Sequence, residues 1–368
     1  MKRILHIAPL NTAGVPYAFV KAERRLGYDS RLITLGKSRF GYEEDICLNL
    51  PFLRTPGIKL LRKAVSDPSR SIVENVHHIP AEIPRKWVPR GFVESTLFQF
   101  RERVWAPKIR DVLSEIDIWN VDIVQLDGGL EFYRNGRTIR ELDRLGKKII
   151  CCYTGSDLRV RGVIPEIDEL AHLNVTVEYD HKYFHPNIHH VFFPFDMEPF
   201  DIVPPRAQHS VRIGHAPTNR RAKGSDQIIS QLKELKKSRD IEIVLIENLP
   251  YKEALKLKAT CDIFVDQIGD LGYGINSLEA LAMGIPVATS LVSDFGESYP
   301  DNPFIEVDKD SLVAQLQPFL DDADLRREEG IKGRDWVMKY HDHVKVVRRI
   351  HKLAGISVAE TPYQENKT

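Results

Sequence analysis

Residues 266–287 read DQIGDLGYGINSLEALAMGIPV, and this stretch decides the fold. It begins at the end of an apolar run, Ile263 to Asp266, that reads as a strand. Gly272 and Gly274 free the backbone for a turn. Asn276 and Ser277 are good caps, and residues 278–283 form a short apolar helix that stops at Gly284. Pro286 to Thr289 is the next strand. Strand, glycine turn, helix and strand imply a parallel pair with a crossover. A helix entered from such a turn offers unpaired N–H groups and the positive end of its dipole, which suits a diphosphate. Gly274, Ile275, Asn276 and Ser277 are the candidate contacts. Glu279 is placed in the first turn. There it either accepts the two hydroxyls of a ribose or faces solvent as a helix-stabilising acid.

Upstream, His215 to Gly224 (HAPTNRRAKG) lies between the strand Val211 to Gly214 and a helix that Ser225 caps. Ile228, Ile229, Leu232 and Leu235 share one face of that helix. Arg220 and Lys223 stand at its head. Positive side chains there oppose the helix dipole, and an anionic ligand explains them better than folding does. Arg can meet phosphate as a fork and Lys as a point charge. Arg221 is expected to point away, and a solvated basic loop is the plainer alternative.

The alternation extends in both directions. Ile241 to Ile246 and Ile263 to Asp266 read as strands flanking a helix, Tyr251 to Ala259. Before Pro194 to Pro205, a linker-like run, the strands are Ile4 to Ala8, Ser30 to Thr34, Asp122 to Leu126 and Lys148 to Tyr153, then Val175 to Glu178 and Val191 to Phe193. Helices are expected after Pro16 and around Arg137 to Leu145. The chain is thus two α/β units in tandem, and ligands in such sheets bind beyond the carboxyl ends of the strands. Residues 47–118 break the rhythm. Between Pro51 and Arg90, eight Lys and Arg face three acids, and six prolines speak against long helices. This basic stretch is either a solvated loop region or a contact for anionic lipid. Trp87 and Phe92 flank its charges.

Length and composition fit this plan. A chain of 368 residues suits two domains. The 52 Lys and Arg balance 52 Asp and Glu, which argues against a nucleic-acid binder. Cys47, Cys151, Cys152 and Cys261 form no CxxC and no Cys/His cluster. Zinc and a disulfide framework are therefore not expected, and a reducing cytoplasm is. No apolar run reaches the roughly 18 residues of a spanning helix. His189, His190, His341 and His343 lack a third ligand at useful spacing, so no metal is expected. Ser156 beside Asp157 has no histidine to complete a hydrolase triad. Ala13-Gly14 is not a dinucleotide fingerprint.

These segments resemble family 4 of the glycosyltransferases, retaining enzymes of the GT-B fold that use nucleotide-sugar donors. GYGINSLEALAMGIPV is similar to the family's glycine–glutamate donor segment, and HAPTNRRAKG to its Arg…Lys pyrophosphate loop. YKEALKLKATCDIFVDQ resembles the helix and strand before the donor site. Residues 1–34 resemble the opening strand and glycine loop, which adds Gly14 to the diphosphate contacts. CYTGSDLR resembles a His-Gly-x-Asp segment, and GRDWVMKYHDHVKVVRRIHKL the terminal helices that cross back to the first domain. The likeness covers all but about residues 45–118.

The resemblance implies two Rossmann-like domains with a cleft between them. Residues 1–195 would hold the acceptor, with an irregular basic insertion at about 45–118. Residues 206–340 would hold the nucleotide sugar, and 341–368 would be a crossing helix and polar tail. It further implies retaining, metal-independent transfer from a nucleotide-diphosphate sugar, a donor substrate and not a cofactor. The acceptor would be a glycan, a lipid-linked molecule or another hydroxyl compound. From the residues themselves, a cytoplasmic protein is expected, with 54–92 as the candidate peripheral membrane contact if that stretch is not a solvated loop. Glu279 takes the ribose.

Two positions depart from the family. Its donor segment usually has a second glutamate, whose place falls on Leu271 with Asp270 beside it. Its histidine before Gly155 is Thr154 here. Asp270, Asp157 and Thr154 are therefore the catalytic candidates. A catalytically silent GT-B subunit that binds a partner or glycan is the alternative. A sugar-nucleotide epimerase fits less well, because the motif order follows the transferases.

Overall fold

The computed structural model describes residues 1–53, 82–89, 91–204, 210–269 and 272–357. Most of the basic stretch 54–90, the end of the linker, Asp270, Leu271 and the polar tail lie outside the described residues. The chain divides into two compact units. The first comprises residues 1–38, 42–194 and 343 onward, and the second residues 39–41 and 195–342.

The first unit is built on a seven-stranded sheet. Its strands are β1 (Arg3–Ala8), β2 (Asp29–Thr34), β3 (Ile46–Cys47), β4 (Ile123–Asp127), β5 (Lys148–Tyr153), β6 (Leu173–Thr176) and β7 (His189–His190). Their order is β3-β2-β1-β4-β5-β6-β7, and every pair is parallel. Continuous apolar runs such as Ile149 to Tyr153 form these strands because a parallel sheet is buried on both faces. The expected strand at Val175 begins two residues earlier, at Leu173, and in place of Val191 to Phe193 the strand is His189–His190, which ends before Val191. Thr176 ends β6, where its hydroxyl donates to the Tyr153 carbonyl at 3.2 Å and accepts from the Glu178 N–H at 3.0 Å.

The region expected to be irregular holds a 25-residue helix, Gly91–Glu115, with Pro107 inside it. Trp105, Ile109 and Leu113, each four apart, bury one stripe of it in the first core.

A buried polar chain crosses the first unit. The His6 ring pairs with Asp127 at 3.0 Å and with Glu23 at 2.8 Å. Glu23 also accepts from the Ser30 hydroxyl at 2.6 Å and pairs with His351 at 3.1 Å. Burial alone would lower the His6 pKa, but Glu23 and Asp127 outweigh it and raise the value to about 10. Burial would likewise raise Glu23, yet His6 and His351 pull it down to about 2. His351 lies on the last described helix, His343–Leu353, which packs on the helix Val15–Arg25.

The second unit has five parallel strands: β8 (Val211–His215), β9 (Ile241–Leu245), β10 (Ile263–Gln267), β11 (Val287–Thr289) and β12 (Ile305–Glu306), ordered β12-β11-β10-β8-β9. Ile213, Ile228, Leu232, Ile263, Val265 and Leu312 lie in its core. β8 and β10, neighbours in the middle of the sheet, open at their carboxyl ends onto both segments singled out from the sequence.

Candidate functional site

Asp266 stands in β10 near its carboxyl end and is buried. The Lys223 ammonium donates to one of its carboxylate oxygens. The Ser277 hydroxyl donates to the other at 2.6 Å. Burial would raise the Asp266 pKa, but Lys223 and then Ser277 overcome this and hold it below the usual carboxylate range. Lys223 and Ser277, expected from separate segments to meet one diphosphate, are thus anchored to the same carboxylate. Asp266 itself had no role in the sequence reading. Its signal was an acid ending an apolar strand.

The loops also touch through backbone. The Ile268 N–H donates to the Lys223 carbonyl at 3.2 Å. Gly224 has φ +66°, and a Cβ there would lie 2.6 Å from Ile268 Cγ1. Arg220 and Lys223 sit in a one-turn helix of their own, Arg220–Lys223, capped by the Asn219 side chain. Gly224 then separates it from the helix Ser225–Leu235. Ser225 does not cap that helix. Its hydroxyl instead pairs with the buried His215 ring at 2.8 Å, and the other ring nitrogen faces the Val265 carbonyl at 2.8 Å. Burial holds the His215 pKa down, so the ring is a neutral bridge between β8, β10 and the loop.

The glycine turn leads into the helix Ile275–Ala282. Gly274 is the cap, with extended backbone and no side-chain capping bond. Its carbonyl accepts from the Ser277 N–H at 2.9 Å and the Leu278 N–H at 3.2 Å. Ile275 and Asn276 therefore occupy the first turn, whose N–H groups have no partner within the helix. A Cβ on Gly274 would meet nothing within 4 Å, so the backbone there is open to a ligand. The expected capping by Asn276 and Ser277 is replaced by other bonds. Asn276 donates to the Ala216 carbonyl at 3.1 Å, and Ser277 is committed to Asp266. Gln267 steadies the turn by donating to the Gly272 carbonyl at 2.5 Å.

Glu279 lies in the second helical turn, not the first, and it does not face solvent. It is 3% exposed, and its carboxylate accepts from the ammonium of Lys258, itself buried. Lys258 also donates to Asn276 Oδ1 at 2.8 Å. The sequence reading missed Lys258, because a lysine in the last turn of an amphipathic helix normally reads as a solvated C-terminal charge.

Arg220 is held apart from the Asp266 cluster. Its guanidinium donates to both oxygens of Glu247, at 2.7 and 2.6 Å, and its side chain is nearly half exposed. The Glu247 hydrogen bonds raise its pKa further. Arg221 is exposed, as expected.

In the first unit, Gly14 precedes the helix Val15–Arg25 at φ +75°, a conformation that suits glycine. The Asp157 carboxylate accepts from the Thr154 and Leu158 N–H groups, each at 2.7 Å. Burial raises its pKa, against the pull of Arg161. Thr154 thus meets Asp157 through its backbone. Asp270, the third catalytic candidate, lies outside the described residues. Among the described residues no group of three or more His, Cys, Asp or Glu is placed to hold a metal. No described helix is long and apolar enough to cross a membrane.

Solved structures similar to the chain include glycosyltransferases of the GT-B fold, and the chain shares that fold. Alr3699/HepE of Anabaena in complex with UDP-glucose aligns at TM-score 0.59 with 12% identity, over 96% of this chain and 100% of that one. Sucrose-phosphate synthase from Thermosynechococcus elongatus aligns at 0.59 with 13% identity, over 96% and 98%. A point mutant of S. aureus TarM in complex with fondaparinux, alpha-GlcNAc-glycerol and UDP aligns at 0.61 with 10% identity, over 96% and 100%. No family model matches the sequence, and neither does any curated protein.

Proposed function

We propose that the protein is a retaining, metal-independent glycosyltransferase of the cytoplasm. It would move a sugar from a nucleotide-diphosphate donor to a glycan, a lipid-linked molecule or another hydroxyl acceptor. The observation that carries this reading is the convergence of Lys223 and Ser277 on Asp266. It aligns a fixed cation with an open helix N-terminus at the carboxyl ends of β8 and β10. The diphosphate would lie along the Gly272 to Ser277 turn, near the N–H groups of Ile275 and Asn276. Lys223 and Arg220 would supply positive charge. Glu279 would take the ribose, its carboxylate aimed by Lys258.

In a retaining transfer the acceptor hydroxyl attacks the anomeric carbon on the face that the leaving diphosphate vacates. The new C–O bond forms as the old one breaks, and the departing phosphate oxygen takes the acceptor's proton. The main task of the protein is then to stabilise the charge that develops on the diphosphate. Asp157, Asp270 and the Thr154 backbone are the candidates for holding the reacting sugar or acceptor. HepE and TarM, which share the fold, were crystallised with UDP-glucose and UDP, so uridine nucleotides are the first to test.

Calorimetry with UDP, GDP and ADP, followed by turnover with the matching sugar donors, tests the proposal. Absence of binding by every nucleotide would remove it. Binding without turnover on any donor would favour the silent subunit, for which Leu271 and Thr154 stand where the family has an acid and an imidazole.

A further inference from the structure

Gln267 ends β10 and is buried. A buried amide at the end of an apolar strand is costly unless its polar atoms are paired, and here they are. Its Oε1 accepts from the Gly269 N–H at 3.0 Å. Its Nε2 donates to the Gly272 carbonyl at 2.5 Å and to the Ser290 carbonyl at 3.4 Å. The amide oxygen and both amide hydrogens are thus in use. The backbone of Gln267 joins in, its carbonyl accepting from the Ser290 N–H at 3.0 Å. The Ser290 hydroxyl donates to the Gly269 carbonyl.

These bonds reach both arms of the candidate donor site. Gly272 opens the turn into the helix Ile275–Ala282, whose first N–H groups are the expected diphosphate contacts. Gly269 lies against the other arm. A Cβ there would come within 2.7 Å of the Ala222 carbonyl oxygen, and its neighbour Ile268 donates to the Lys223 carbonyl at 3.2 Å. Asp266 anchors the side chains of Lys223 and Ser277. Gln267, the next residue, fixes the backbone that runs between the two arms. A ligand that must meet two arms at once depends on their spacing, and loses the second contact when the spacing is wrong.

We propose that Gln267 is a positioning residue for diphosphate binding. Its amide holds the Lys223 loop and the glycine turn at the spacing that lets one diphosphate engage both. Gln267 itself acts from beneath the turn and through these backbone groups. The role rests on the donor-site reading, and deepens it by naming what sets the register of the two arms.

Calorimetry with a nucleoside diphosphate and its monophosphate tests this, UDP and UMP first. Gln267→Leu keeps the bulk and removes all three side-chain bonds. Gly269 and Gly272 are partly exposed, so water can take over their backbone groups and the melting temperature should change little. UDP affinity should fall by about tenfold, and UMP affinity by less than about twofold, because a single phosphate needs only one arm. Equal losses for both ligands, or no loss for either, would overturn the proposal. Gln267→Glu adds a second readout. Its carboxyl donates to the Gly272 carbonyl only when protonated. Its UDP affinity, taken against wild type at the same pH, should therefore recover as pH falls from about 8 to about 5. Neighbouring Asp266, held below the usual carboxylate range, stays ionised throughout. A Gln267→Glu affinity equally far below wild type at both ends of that range would also overturn the proposal. If wild type binds no nucleotide, the donor-site reading fails and takes this role with it. If wild type binds and the variants do not change the preference for UDP over UMP, the positioning role alone is removed.

Discussion

Single residues carry the donor-site reading, and they differ in what their loss should do. Arg220→Ala should weaken nucleotide binding by about tenfold or more, as for a lost hydrogen bond to a charged group, and calorimetry measures this directly. Because Glu247 now holds Arg220 as a bidentate pair, Glu247→Gln should leave affinity equal or better. A loss there would mean that Glu247 positions Arg220 and does not compete with the diphosphate. Glu279→Gln has two effects. It should lower affinity for the nucleotide through the ribose, and it leaves the Lys258 ammonium buried without its carboxylate, a loss of about 3–5 kcal/mol. Adding Lys258→Met should restore much of the melting temperature while affinity stays low. If affinity recovers as well, Glu279 has no ligand role. Asp270→Asn should slow transfer more than it weakens nucleotide binding, since the sugar is what it would touch. Unchanged turnover would turn attention to Asp157.

At the scale of elements, the strands were legible and some of their surroundings were not. Continuous apolar runs such as Ile4 to Ala8 and Lys148 to Tyr153 mark strands buried on both faces. The strand, glycine turn and helix from Ile263 to Ala282 were legible in the same way. The helix Gly91–Glu115 escaped because its pattern is doubly apolar. Phe92, Val93, Leu97 and Phe100 outside and Trp105, Ile109 and Leu113 inside leave no single stripe to count, and Pro107 interrupts the sequence signal. Ser225 and Ser277 looked like caps because sequence shows a hydroxyl but not its partner. In the fold these hydroxyls meet His215 and Asp266, ten and eleven residues earlier in the chain and beyond the three-residue reach of a capping pattern. Lys258 escaped for the same reason. The Arg220–Lys223 element itself offers a test. Gly224→Ala would force a left-handed backbone on alanine and press Cβ against Ile268. It should cost about 1–3 kcal/mol of stability and, by shifting Lys223, lower nucleotide affinity. An unaltered melting curve would show that the loop yields.

For the whole molecule, pH reports on the buried chain through His6. The folded pKa of His6 is about 10 against an ordinary 6.5. Its stabilisation is therefore complete below about 6.5 and is lost as pH rises through 10. Glu23, held at about 2 against 4.5, contributes fully above about 4.5 and loses its share as pH falls through 2. Glu131, which burial raises to about 7, contributes below about 4.5 and loses its share as pH rises through 7. His6→Gln should flatten the alkaline limb of the stability curve between about 6.5 and 10. It also leaves Glu23 and Asp127 buried without their shared cation. A wild-type melting temperature constant from pH 7 to 10 would contradict the raised pKa. Activity, for its part, should survive EDTA. Loss on chelation and rescue by magnesium or manganese would overturn the metal-independent reading.

The first unit is assembled from both ends of the chain, and that has a consequence during synthesis. Its first 194 residues leave the ribosome well before His343 to Leu353 exists. At roughly 5–20 residues per second, the interval is on the order of ten seconds. Through that time the helix Val15–Arg25 has no terminal helix to cover it, and Glu23 has His6 and Ser30 but not His351. The second unit can complete itself in the meantime, since nearly all of it is contiguous. The nascent protein would then pass through a stage with one finished half and one half still awaiting its last piece. A chaperone, or a premature stop codon, would act on that stage.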